Sequence, residues 1–92
     1  MVTAIVLLTV NNARINEAAE EIAAIKGISE VYSITGQHDL AAIVRAPDND
    51  TLADVITSHV LKTEGIMKSE TMFAFRVFSR HDLEAMFNIG ME

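Results

Sequence analysis

Gly36-Gln37-His38-Asp39 lies between two apolar runs, and its residue types are the ones in this chain best suited to hold a small polar molecule. Glycine lets a backbone approach a ligand closely and leaves turn amides exposed as donors, while Asp39 supplies an anionic acceptor. Gln37 and His38 add an amide and an imidazole at the same turn. Taken without further context, the segment is first of all a hairpin turn. Ser69 and Thr71 stand two apart in a later run, so on a strand they share a face. Their hydroxyls either meet a polar ligand atom together or simply tolerate a half-buried sheet.

Other chemistry is poorly supplied. With no Cys there is no thiolate nucleophile, thiolate metal site or disulfide, and no oxidising compartment is indicated. No Gly-x-Ser-x-Gly elbow, phosphate loop or His-Glu-x-x-His pair occurs, so no catalytic activity is expected. His38, His59 and His81 fall in the turn, on the second helix and near the tail, which predicts no metal site and no cofactor. Asp48, Asp50 and Asp54 lack the Gly and terminal Glu of a calcium loop and read as helix-start residues. Glu17, Glu20 and Glu21 read as a solvated helix face, and Met67, Met72, Phe73, Phe75 and Phe78 as packing.

The net charge is −6, and the seven Lys and Arg are scattered from Arg14 to Arg80 without a basic cluster. A surface of that kind gains nothing from counterion release, so nucleic acid is not an expected direct partner. Every apolar run is shorter than the ~18 residues of a spanning helix, and no cationic leader precedes the first one, so neither membrane nor export is expected. Cytoplasm is the expected location.

Several elements must position these residues. Val2 to Val10 is a β-branched run closed by Asn11-Asn12, which predicts a strand. Ile15, Ala18, Ala19, Ile22 and Ile25 follow a helical period, with Asn12 as the expected N-cap and Gly27 as the stop. Ile28 to Thr35 and Leu40 to Ala46 are strand-like and joined by the short turn, which predicts an antiparallel hairpin ended by Pro47. Thr51-Leu52-Ala53-Asp54 has capping-box form and opens a second helix through Leu52, Val55, Ile56 and Val60 toward Gly65. Ile66 to Ser79 predicts a fourth strand, and Ser79-Arg80-His81-Asp82 a cap for a short C-terminal helix carrying Leu83, Met86 and Phe87. No repeat or linker interrupts the 92 residues, so one domain is expected, with 80–92 as a tail.

The order βαββαβ is the ferredoxin-like arrangement, an α+β two-layer sandwich with both helices on one face of the sheet. The other face is not written as wet. In the first strand both alternate sets, Val2-Ala4-Val6-Leu8-Val10 and Thr3-Ile5-Leu7-Thr9, carry large apolar side chains. Sheet-on-sheet pairing of a homodimer is the expected cover, with Phe73 or Phe75, whichever set faces outward, at the interface.

The stretches VYSITGQHDLAAIVRA (31–46) and GIMKSETMFAF (65–75) together resemble the ligand-binding domain (the RAM, or regulation of amino-acid metabolism, domain) of the Lrp/AsnC family of regulators. The family's hairpin carries a Gly-x-x-Asp motif, met here by Gly36 and Asp39, and its fourth strand carries alternate hydroxyls, met by Ser69 and Thr71. The resemblance covers essentially residues 1–79. It implies a domain that pairs through its sheets, assembles dimers into rings and binds amino acids or related metabolites in the cleft between dimers. The implied site is Gly36, Gln37, His38, Asp39, Ser69 and Thr71. Turn amides suit a carboxylate and Asp39 an α-ammonium, so one zwitterion satisfies both. The chain starts at the first strand with no helix-turn-helix before it, which leads to the expectation of a stand-alone effector-binding module that co-assembles with full-length regulators. Two other readings stay open. An ACT-like amino-acid domain shares the element order but places its ligand loop between the first strand and helix, here Asn11-Asn12-Ala13-Arg14. A dimeric α+β barrel enzyme of the monooxygenase type would use a pocket between sheets and a residue such as His59.

Overall fold

Strand β1, Val2–Val10, alternates between wholly buried and half-buried side chains along its length. That alternation follows from helices covering one face of the sheet while the other lies open, and the strand itself runs in the middle of the sheet. It pairs antiparallel with β3 (Leu40–Ala46) on one side and β4 (Ile66–Ala74) on the other. β2 (Ile28–Ser33) pairs antiparallel with β3, which gives a four-stranded sheet of order β2-β3-β1-β4. This computed structural model describes residues 1–78. Helix α1 (Ile15–Ala23) links β1 to β2, and α2 (Asn49–Asp54) follows β3. Beyond α2 the chain continues through a π turn, Val55–His59, and a short 3₁₀ turn, Val60–Lys62. The expected α+β, ferredoxin-like βαββαβ arrangement is therefore present.

Ala4, Val6, Leu8 and Val10 of β1 and Ala42, Val44 and Ala46 of β3 meet Ala18 and Ile22 of α1, and Leu52, Val55, Ile56 and Val60 of the second helical segment. These residues are the ones whose period predicted the two apolar helix stripes. Among the described residues no polar or charged side chain is buried. The layer between sheet and helices is thus held by apolar burial alone, which imposes no pairing requirement on its side chains.

The start and stop signals shifted by a few residues. Asn11, not Asn12, accepts from the Ala13 amide at 3.0 Å, and it opens a 3₁₀ turn (Asn12–Arg14) ahead of α1. The reason lies in β1, whose ladder ends at Val10, so Asn11 is the first residue free to turn. Asp48, not Thr51, caps α2: its Oδ1 accepts from the Thr51 amide at 2.8 Å. β2 stops at Ser33, which faces Leu40, the first residue of β3, and β4 stops at Ala74, which faces Thr3, one residue from the start of β1. In the π turn, Thr57 Oγ1 donates to the Ala53 carbonyl at 2.8 Å, a bond that competes with a regular ladder, and Ser58 Oγ donates to Asp54 Oδ1 at 2.9 Å. The expected helix after Ser79 and the tail 80–92, with His81, lie outside the described residues.

The amide of Thr51 donates to Asp48 and holds that carboxyl below its ordinary value of 3.8. A group with a lowered folded-state pKa contributes stability above the unfolded value and loses it as pH falls through the folded one. Asp48→Asn keeps an oxygen that accepts from the Thr51 amide but no group that titrates, so it should flatten part of the acid limb below about pH 4 while changing little at neutral pH, as followed by thermal melts across that range.

Register fixes which side chains share a face. Ser69, Thr71 and Phe73 lie opposite Leu8, Val6 and Ala4, so they belong to the helix side, although β4 lies beyond the helices and leaves them exposed. Phe73 is thus not on the open face. That face carries Ile5 and Leu7 of β1, Ala41 and Ile43 of β3, Tyr32 of β2 and Met72 of β4, with Glu30, Arg45, Lys68 and Glu70 among them. Tyr32 is 50% and Met72 41% exposed in the single chain.

Candidate functional site: the hairpin at the end of the central strand

The hairpin turn sits at the C-terminal end of β1 and is fastened there by Asp39. Its amide donates to the Leu8 carbonyl at 2.8 Å, and its own carbonyl accepts from the Ile34 amide at 2.9 Å. Its Oδ2 accepts from the Val10 amide, also at 2.8 Å. β3 begins only at Leu40, so the Val10 amide has no ladder carbonyl opposite it, and the carboxylate takes that place. Asp39 is therefore first a structural acceptor. One oxygen is committed to the backbone, and the other makes no protein hydrogen bond among the described residues.

Thr9 adds a second fastening. Its Oγ1 lies 3.3 Å from the Gln37 carbonyl, to which it donates, and 3.1 Å from His38 Nδ1. Gly36 has φ +116°, with no atom near the position a Cβ would take. The demand at Gly36 is thus conformational rather than one of space within the chain. Gly36→Ala should cost about 1–2 kcal/mol of stability through backbone strain with no steric clash, as read from chemical denaturation.

Gln37 and Asp39 line an open cleft together with Thr9 and Val10 of β1, Asn11 and Asn12 of the following turn, and Met67 of β4. Arg14, the nearby cation in that turn, is held by Glu21 at 3.0 Å and Glu64 at 3.4 Å. The implied site residues are therefore not all gathered in one chain. Gln37 and Asp39 face the cleft, Gly36 shapes the turn, and His38 meets Thr9. Thr71 instead lines a separate groove with Leu52, Ala53, Ile56 and Phe73. Ser69 and Thr71 lie on the opposite side of the sheet from Thr9, so within one chain they do not join the hairpin.

Thr9, Asn11, Asn12 and Met67 were not among the implied site residues, although Asn11 and Asn12 stood in the ligand loop of the ACT-like alternative. The element order contained the signal for the first three. β1 and β2 run the same way, so the turn after β1 and the hairpin after β2 emerge at the same end of the sheet. Met67 had no such signal, since a slip in the β1–β4 register places it there.

A four-stranded antiparallel sheet with both helices on one face, and a hairpin stapled to the end of its central strand, defines a ferredoxin-like α+β module. The model of the Lrp/AsnC ligand binding domain matches residues 3–83, and the chain belongs to that family. It is 37% identical over 57 residues to the HTH-type transcriptional regulator LrpA1 of Halobacterium salinarum, a match covering 62% of this chain and 40% of the regulator. The crystal structure of TTHA0845 from Thermus thermophilus superposes with TM-score 0.80 at 42% identity, over 87% of this chain and 100% of that one. The L-Met complex of the transcriptional regulator NMB0573 from Neisseria meningitidis shares the fold, with TM-score 0.74 at 14% identity over 86% of this chain and 53% of that one. The chain thus spans under half the length of the curated regulator it matches. Among the described residues no helix is long and apolar enough to cross a membrane.

Proposed function

We propose that this domain is an effector-binding unit: it binds an amino acid or related small metabolite and thereby modulates transcription regulators of amino-acid metabolism. The observation that carries the reading is the cleft at the end of β1, lined by Asp39 and Gln37, beside a turn whose backbone at Gly36 has open space where a Cβ would stand. Those groups are complementary to an α-ammonium and an α-carboxylate. The regulator from Neisseria, whose fold this chain shares, was crystallised with L-methionine, which supports the same class of ligand.

The open sheet face supports a homodimer paired through its sheets, and the split of hairpin and strand-four hydroxyls between two sides of the sheet supports a site completed between dimers, as in a ring. Full-length regulators of the same family are then natural co-assembly partners, in the cytoplasm, and the domain itself contributes ligand binding rather than catalysis. Calorimetric titration of the assembled protein against the proteinogenic amino acids tests this. Saturable binding of at least one at stoichiometric ratio is expected. No heat from any, with the assembly intact, would remove the amino-acid reading.

A further inference from the structure

β4 follows β1 pair by pair from Ala74 back to Lys68 and then slips: Lys68 lies opposite Thr9, and Ile66 opposite Val10. Met67 is the extra residue, without a partner across the ladder. A bulge of this kind bends its strand and re-aims the bulged side chain. Here it leaves Met67 67% exposed and sets it against the cleft beside Thr9, Asn12 and Gln37. Among the residues lining that cleft, Asp39 is the one with a formal charge and none is a cation. The guanidinium of Arg14 is engaged by two glutamates.

Resting on the amino-acid reading above, we infer that Met67 is the specificity-determining residue of the site: it contacts the ligand's side chain and selects neutral amino acids with an unbranched apolar one. Once the α-ammonium and α-carboxylate are held at the hairpin, the ligand's side chain must lie against what remains of the lining. An acidic side chain there finds no counter-charge and sits near Asp39, so it is disfavoured. A flexible thioether adapts its rotamers to a linear hydrocarbon and excludes water from it.

The test is calorimetry on the assembled full chain with L-norleucine, L-alanine and L-glutamate, which share one zwitterionic end and differ in the side chain. The wild type is expected to prefer norleucine over alanine by about tenfold or more, given the extra methylenes buried. Met67→Ala should bring that ratio toward unity while leaving alanine affinity within about twofold. Met67→Lys should place glutamate ahead of norleucine. Melting temperature and assembly mass verify that each variant remains folded. An unchanged norleucine-to-alanine ratio in Met67→Ala overturns the assignment of Met67 and leaves the amino-acid reading standing. If the wild type binds none of these ligands or any other amino acid, both readings fall together.

Discussion

Leu7→Asp should convert the assembled protein to monomers. Leu7 lies in the middle of the central strand on the open face, flanked by Ala41 of β3 and Glu70 of β4 in register, and only partly covered in the single chain. Ile5, Ile43, Tyr32 and Met72 surround it, an apolar patch that a small domain rarely leaves to water. In a two-fold sheet pair each copy would contribute its own carboxylate to the same desolvated layer, at a cost on the order of 3–5 kcal/mol. That raises the dimer dissociation constant by a factor on the order of 10²–10⁴. Within the monomer the substitution faces solvent, so secondary structure should be retained. Phe73→Asp, on the helix side of the sheet, should leave the sheet-paired dimer intact. Light scattering at micromolar concentration decides the matter: a Leu7→Asp protein of wild-type mass would mean that the sheets do not pair.

Asp39→Ala and Asp39→Asn should separate two roles carried by one carboxylate. Alanine removes the acceptor of the Val10 amide, which then has no partner at the end of β1, and an unsatisfied amide of this kind costs about 1–3 kcal/mol. The Ala variant should therefore lose both stability and ligand affinity. Asparagine keeps a carbonyl oxygen that can stand where Oδ2 stands, so the hairpin should stay fastened. It lacks the charge that meets an α-ammonium, a contact of roughly 1.5–3 kcal/mol, so binding should weaken by about ten- to a hundredfold. The pair of variants is read by denaturation and calorimetry together. If Asn binds the amino acid as tightly as wild type, Asp39 is only the staple of the turn, and the ligand's ammonium is held elsewhere.

The fastening role of Asp39 explains why the hairpin motif was legible and its part in the fold was not. Gly36 and Asp39 are visible because a positive-φ turn and a short anionic side chain are chemical choices written in single residues. That the carboxylate completes the hydrogen bonding of β1 depends on where β3 begins, a pairing between residues 29 apart in sequence. The same holds for Ser69 and Thr71. Their spacing of two correctly put them on one face of a strand, yet which face that was depended on the β1–β4 register.

By itself the sequence determined the order of the strands and helical segments within the described residues, the apolar stripes of both helical segments and the two-sided apolar character of β1. Each is a periodicity set by local backbone geometry, 3.6 residues per helical turn or two per strand repeat, and so it is readable from the chain alone. The tertiary structure alone decided the rest: Asn11 and Asp48 as the caps, the slip that frees Met67, the assignment of Phe73 to the helix side and of Met72 to the open face, and the meeting of Asn11, Asn12, Gln37 and Met67 around one cleft. These features arise from where strands run out of partners and how two ladders are aligned. Such alignments are fixed by the simultaneous packing of distant segments, and no local pattern encodes them.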